Sequence, residues 1–220
     1  MNNQDLFSAV IPIINEYILL AFRKNLNPNS PKKYVAGNPG GVRYADPTKN
    51  GPEELQYSHT SKEIVKGMFK HVIKMGTPKY EKVEHFDILT GGIADHINEH
   101  IAGAAKINAV KEGIEESGTI CLELDEIFEH EQENKYGPQY FYLATKMMKF
   151  NGDIGDFEII EDLAKQLPRE GIDYICLDND IDHIRAIHLS EVFSHPDFDV
   201  IPSHRKPIEG AIAHYHVMKR

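Results

Sequence analysis

Two apolar runs near the N-terminus carry the densest hydrophobic pattern in the chain. The runs SAVIPII and YILLAFR cover most of residues 8–23 and meet at Asn15-Glu16. β-branched residues and leucines at this density predict two buried β-strands. Pro12 has no backbone N–H, so its place inside the first run predicts a sheet edge or a bulge. Residues 24–52 are rich in Pro, Asn and Gly, and this composition predicts loops.

The next region changes from loop to helix and then to strand. Residues 53–75 predict a helix, with Ile64, Met68 and Val72 on one face. Residues 84–90 predict a strand that ends at Gly91-Gly92, where the backbone can approach a ligand closely. We interpret residues 38–82 as an insertion over the site, because a segment of about 45 residues is marginal for independent stability.

An acidic helix is predicted from Ala104 onward. Ile107, Val110 and Ile114 form its apolar stripe, and Gly118 follows at the position of a C-terminal cap. On a different face, Glu112 lies within about 60° of Glu115 and of Glu116. Carboxylates this close repel each other, whereas Mg²⁺ binds to such a set of oxygens. The pattern therefore indicates a cation site, and the structural alternative is an exposed acidic face.

The rest of the chain completes a single α+β domain over residues 1–220. Strands are predicted at residues 119–130, 139–148 and 173–177. Helices are predicted at residues 157–167 and from Asp180 to about Phe193, and residues 208–220 predict a C-terminal helix or strand. This order of elements favours a mixed β-sheet between helices.

Composition narrows the classes of partner. The formal charge of −10 argues against a broad basic face for nucleic acid, but a divalent cation would still allow a small anionic substrate to bind. The longest apolar run, Ile18 to Phe22, is too short for a membrane span, and the N-terminus has no secretory pattern. Cys121 and Cys176 lie in apolar segments, which favours buried, reduced thiols. We therefore expect a cytoplasmic protein with no membrane partner.

The acidic helix resembles part of a known family motif. Nudix hydrolases carry a box written Gly-x5-Glu-x7-Arg-Glu-U-x-Glu-Glu-x-Gly-U, where U is aliphatic. Its second half is matched by residues 111–118, with Lys111 in place of the arginine and Gly113 in place of the aliphatic residue. The glycine of the first half has two candidates, Gly92, followed by Glu99, and the turn Asn38-Pro39-Gly40-Gly41. The flanking strands extend the resemblance over roughly residues 8–180.

The resemblance implies a Nudix-like α/β/α sandwich that cleaves the pyrophosphate bond of a nucleoside diphosphate linked to another moiety. It implies Mg²⁺ or Mn²⁺ held by Glu112, Glu115 and Glu116, with a small nucleotide as substrate. A homodimer fits the family. The implied catalytic residues are Glu115, Glu116 and Lys111, the implied substrate-binding residues are Gly91, Gly92 and Arg23, and a late general base is sought at Glu158 or Glu161.

Two other functions fit the sequence. The loose first half of the box and Gly113 would suit a Nudix-fold module that binds or senses a nucleotide without turnover. The sequence His85-Phe86-Asp87, with His214 or His216 as a distal third ligand, has the composition of an iron or zinc site. Metal-dependent activity would separate the first alternative from an enzyme, and metal analysis would test the second.

Overall fold

A computed structural model describes residues 5–43, 104–117, 119–130, 137–150, 157–163 and 181–220. The predicted helix at residues 53–75, the strand leading into Gly91-Gly92, the strand at residues 173–177, and Gly118 and Cys176 lie outside these ranges. The described helices are α1 (Ala104–Ser117) and α2 (Pro202–Met218). The described strands are β1 (Leu6–Ile14), β2 (Tyr17–Lys24), β3 (Tyr34–Gly37), β4 (Gly40–Arg43), β5 (Thr119–Cys121), β6 (Asp125–His130), β7 (Gln139–Ala144), β8 (Met147–Phe150), β9 (Phe157–Ile159), β10 (His183–His188) and β11 (Phe198–Val200).

The N-terminal apolar runs form the predicted hairpin of β1 and β2. Asn15 and Glu16 turn the chain with φ values of 52° and 67°. Positive φ at both central residues matches the right-handed twist of the flanking strands, and Asn tolerates this conformation better than most residues. Ile13 pairs with Ile18 directly behind the turn, and both side chains are fully buried. The prediction of two buried strands is confirmed.

The described strands form two sheets. In the larger one the order is β11-β3-β2-β1-β7-β6, with β10 also paired to β2 and β4 also paired to β1. The pairs β1–β7 and β3–β11 are parallel and the others in this sheet are antiparallel, so the sheet is mixed. Strands β5, β8 and β9 form the smaller sheet.

The larger sheet lies between the two helices. Val10 packs in the same apolar cluster as Ala109 and Val110 of α1. Ile11, the next residue along β1, packs instead with Ile208 and other residues of α2. Because successive side chains of a strand point to opposite faces, one helix covers each face. The predicted α+β sandwich with a mixed sheet between helices is confirmed.

The structure corrects the predicted position of Pro12. Strand β1 lies inside the sheet, not at its edge. Along one side β1 pairs with β4 as far as Ala9 and pairs with β2 again from Ile13, so Pro12 falls between the two partners. The missing N–H of proline therefore removes no ladder hydrogen bond on that side.

Several predicted elements differ from the observed ones. Residues 24–52 contain β3 and β4 and are not all loop, residues 119–130 hold β5 and β6, and residues 139–148 divide between β7 and β8. Residues 157–159 form a strand paired with β8 in place of the predicted helix. No element was predicted between about Phe193 and residue 208, but this segment contains β11, and α2 already begins at Pro202.

The helix predicted after Asp180 is instead strand β10 and a short 3-10 turn, Leu189–Glu191. Ile184 and Ile187 are three residues apart, which is also the spacing of a helical stripe. In the strand this odd spacing sends Ile184 to the α1 face and Ile187 to the α2 face. Both faces of the sheet are buried, so both residues find apolar partners.

None of the described helices is long and apolar enough to cross a membrane. Cys121 is a free, fully buried thiol, and burial raises its pKa to about 12. The predicted buried thiol is thus confirmed for Cys121.

We expect Gly210→Ala to stabilise the protein. Gly210 lies in the middle of α2 and is exposed, and a Cβ added there would have no atom within 4 Å. Alanine in an exposed helix interior is favoured over glycine by about 0.5–1 kcal/mol. Urea unfolding should therefore show a higher midpoint at unchanged slope, and a lower midpoint would contradict the packing around α2.

Candidate functional site

Helix α1 buries a polar stripe against the sheet. Asn108, Glu112 and Glu116 are spaced four residues apart and are all buried. This spacing places them one above another on one face of a helix. The alternative of an exposed acidic face is therefore wrong for Glu112 and Glu116. A carboxylate removed from water needs hydrogen bonds or a counter-charge, so the surroundings of these two groups are informative.

Glu116 is held from two directions. Its side chain is 2% exposed, and Oε1 accepts a hydrogen bond of 2.8 Å from Nη2 of Arg23, near the end of β2. The backbone N–H of Gly40 donates to Oε2 over 3.1 Å. A charge-assisted contact and a backbone donor together stabilise the ionised form of a buried carboxylate.

Glu112 lies directly over Gly41. A Cβ at Gly41 would collide with the Glu112 carboxylate, so only glycine leaves room for this approach. One turn earlier, Asn108 Nδ2 donates to Ser8 Oγ over 2.8 Å and to the carbonyl oxygen of Gly41 over 3.2 Å. The polar stripe of α1 therefore packs on the peptide groups of β4 and on β1.

Gly113, which stands in place of the aliphatic residue of the box, has a role in helix packing. A Cβ there would lie 3.3 Å from Cγ1 of Val10, tighter than ordinary van der Waals contact. Glycine thus brings α1 close to β1. At the end of the helix, Ser117 Oγ lies 2.5 Å from the carbonyl oxygen of Gly113 and 2.6 Å from Thr119 Oγ1, which connects α1 to β5.

The residues predicted for the site around the acidic helix divide into two groups. Glu112, Glu116 and Arg23 come together, and the turn with Gly40 and Gly41 lies beside them. Lys111 and Glu115 are on α1, but their side chains lie outside the described structure, as do Gly91, Gly92 and Glu99. Asn108 and Ser8 were not predicted. The signal for Asn108 is its spacing, four residues before Glu112.

The other predicted groups remain untested or lie elsewhere. Glu161 is exposed beyond β9, and the side chain of Glu158 is outside the described structure. His85 and Asp87 also lie outside it, whereas His214 and His216 are exposed on α2. The iron or zinc hypothesis stays a prediction that metal analysis would test.

His204 of α2 supports the turn from the opposite face of the sheet. Its Nδ1 accepts a hydrogen bond of 2.9 Å from the backbone N–H of Asn38, and its ring packs against Phe7 and Phe141. Burial, and to a lesser extent the charge of Arg23, lowers the pKa of His204 to about 4. The imidazole is therefore neutral, with Nδ1 as an acceptor. The Asn38 side chain is buried and has no hydrogen-bond partner among the described residues.

We expect the stability of the protein to fall below pH 6.5 because of His204. The folded pKa of about 4 lies below the ordinary 6.5, so between these values the unfolded chain binds more protons and unfolding is favoured as pH falls. A shift of this size is worth about 3 kcal/mol once pH 4 is reached. Free energies of unfolding from urea titrations at several pH values between 7.5 and 4 would measure the slope.

The matched variants for this slope are His204→Gln and His214→Gln. Glutamine keeps an acceptor for the Asn38 N–H but does not titrate, so His204→Gln should flatten the decline. His214 is exposed on the same helix, and its replacement should leave the slope as in wild type. Equal slopes in all three proteins would show that His204 is not buried as a neutral ring.

The donor set suits a hard divalent cation. Glu112 and Glu116 supply carboxylate oxygens on one helix face, and Mg²⁺ commonly takes one or two carboxylates and keeps several waters. Within the ranges described, no group of three or more His, Cys, Asp or Glu side chains is arranged to hold a metal. The described part of the site therefore contains two of the three carboxylates predicted to bind the cation, and Glu115 is the predicted third.

Comparisons with known proteins give only distant likenesses. No protein-family model and no curated protein matches the chain. Similar solved structures include a NUDIX hydrolase from Nitrosomonas europaea, at 10% identity and a TM-score of 0.44 over 99% of this chain and 91% of that one. An ADP compounds hydrolase matches at 10% identity and 0.45, over 98% and 74%. The NUDIX domain of Shewanella oneidensis NrtR, solved with ADP ribose, matches at 11% and 0.44, over 98% and 90%. At these values the likeness carries no conclusion about function.

Proposed function

We propose that the chain is a Mg²⁺- or Mn²⁺-dependent hydrolase that cleaves the pyrophosphate bond of a nucleoside diphosphate linked to another moiety. The observation that carries the proposal is the pair of buried carboxylates, Glu112 and Glu116, set against Gly40 and Gly41 at the start of β4. Two carboxylates buried on one helix face, beside a strand where a Cβ would collide with them or with the neighbouring strand, cost stability that a purely structural helix avoids. The resemblance of residues 111–118 to the Nudix box gives the reaction class.

The residues of the site divide the work. Glu112 and Glu116, with Glu115 as the predicted third ligand, would hold the cation. A bound cation supplies charge for the diphosphate and lowers the pKa of a coordinated water. The Gly40 N–H fixes the orientation of Glu116, and the peptide of Gly41 is fixed by Asn108. Arg23 contacts Glu116 and is partly exposed, and its guanidinium would contact the anionic substrate. Lys111 is proposed to take the place of the box arginine, with a point charge in place of a planar fork.

The test is hydrolysis of a substrate panel by the purified protein. The panel holds ADP-ribose, NADH, nucleotide sugars, dinucleoside polyphosphates and nucleoside triphosphates, each with Mg²⁺, with Mn²⁺ and with EDTA. We expect the protein to hydrolyse at least one diphosphate-linked nucleotide, and we expect EDTA to abolish this hydrolysis. Metal-independent turnover, or none at all with a folded protein, would reject the proposal.

A second candidate is a nucleotide-binding module without turnover. Both carboxylate oxygens of Glu116 already have protein partners, and this favours a site that is closed at rest. Binding of a panel member by calorimetry, with no product after long incubation in Mn²⁺, would support this module over the hydrolase.

A further inference from the structure

Arg23 and Gly40 hold Glu116 in different ways. The donor to Oε2 is a backbone N–H in β4, which pairs with β1 and cannot move without breaking the sheet. The donor to Oε1 is the tip of a long side chain that is 31% exposed. One oxygen is therefore fixed by the fold, and the other is held by a group that can leave toward solvent.

A guanidinium and a divalent cation compete for the same oxygen. Both are positively charged, and like charges within a few ångströms repel strongly in a partly buried site. Glu116 is almost fully buried, and a buried carboxylate is stabilised by a positive charge beside it, which Arg23 supplies at Oε1. Either the guanidinium or the metal can fill that place.

We propose that Arg23 is a built-in counter-ion that occupies Oε1 of Glu116 in the metal-free protein and gives up this place when a divalent cation binds. This inference rests on the proposed function, since it assumes that Glu116 is a metal ligand. The released guanidinium remains at the edge of the site, where an anionic diphosphate is its next partner. Metal binding gives Glu116 a new partner, and substrate binding gives Arg23 a new partner. Each binding event therefore favours the other, and such coupling is reciprocal.

The experiment measures Mn²⁺ affinity by isothermal titration calorimetry without substrate, in wild type, Arg23→Gln and Lys24→Gln. Removing the competing charge should tighten Mn²⁺ binding by about tenfold in Arg23→Gln. Lys24 is the adjacent residue of β2, is 75% exposed and faces Asp182 over 3.8 Å. Lys24→Gln also removes one positive charge, but this charge pairs with Asp182 and not with Glu116. The Mn²⁺ affinity should therefore change less than about twofold.

Two results separate failure of this inference from failure of the proposed function. Unchanged or weaker Mn²⁺ affinity in Arg23→Gln, with saturable binding in wild type, would overturn the counter-ion and make Arg23 an orienting residue. No saturable Mn²⁺ binding in wild type or in Arg23→Gln would overturn the metal site itself. The hydrolysis panel then decides separately whether any activity remains to be explained.

A measurement on the unmodified protein covers the case in which Arg23→Gln does not fold. The side-chain NMR signals of Arg23, assigned by comparison with Arg23→Lys, report rotation of the guanidinium. In EDTA the ion pair should hinder this rotation, and saturating Mg²⁺ should release it. A guanidinium equally restrained in both conditions would overturn the exchange.

Discussion

Glu116→Gln should lower metal-dependent hydrolysis by about a hundredfold to a thousandfold while the protein stays folded. A glutamine keeps the size of the side chain and an oxygen for the Gly40 N–H, but it loses the charge that would hold the cation. Loss of one electrostatic contact in an enzyme site has effects of this size. Arg23 is partly exposed and can hydrate when its partner is removed, so the fold should tolerate the change. Initial rates on the best panel substrate would give the loss.

Glu123→Gln is the matched control for this variant. Glu123 is an exposed glutamate that pairs with Lys146 over 3.0 Å and not with a residue of the candidate site. An exposed pair of this kind contributes little to stability, so both rate and stability should stay near wild type. If Glu116→Gln kept more than a tenth of the wild-type rate, Glu116 would be a structural residue and the metal site would have to be sought elsewhere.

Elements with a local signal were predicted well. The hairpin of β1 and β2 has dense apolar runs on both sides of a polar pair, and α1 is helical over its described residues, Ala104–Ser117. Strand β10 was mistaken for a helix because Ile184 and Ile187 have the spacing of a helical stripe, whereas in the strand they point to opposite faces. Only the presence of an apolar layer on each face of the sheet decides between them, and that is a tertiary fact.

The sequence offered two candidates for the glycine segment beside the acidic helix, but it could not decide between them. Some sixty residues separate Gly41 from Ala104, and no local pattern reveals that β4 pairs with β1 beside α1. For the same reason, the burial of Glu112 and Glu116 could not be predicted from the sequence. A helix face rich in glutamate is normally solvated, but here it packs on a strand that begins with Gly40-Gly41 and offers peptide groups in place of apolar side chains.

Gly41→Ala should disable the site and spare the fold. The added Cβ would meet the carboxylate of Glu112, which is the far end of a flexible side chain and can swing away. We therefore expect a loss of stability below about 1 kcal/mol. Displacing a ligand by about an ångström can lower turnover by about a hundredfold, and Mn²⁺ affinity should weaken with it. Measurements of urea unfolding, Mn²⁺ binding and hydrolysis on the same variant would show whether affinity and turnover are lost while stability is kept.

Gly40→Ala supplies the contrast one residue earlier. Its Cβ would run into Cβ and Cα of Ala9 and the carbonyl oxygen of Ser8, which are backbone atoms of the paired strand or are bonded directly to it and cannot yield locally. This variant should lose about 1–3 kcal/mol of stability, as overpacked cores do. Gly210→Ala, with open space around its Cβ, controls for the extra methyl group itself.

If Gly41→Ala were as unstable as Gly40→Ala, the Glu112 carboxylate would be rigidly held and the two glycines would serve packing. If it were fully active, Glu112 would not bind the cation. Only a stable, impaired Gly41→Ala agrees with a glycine at this position of β4 that serves the site.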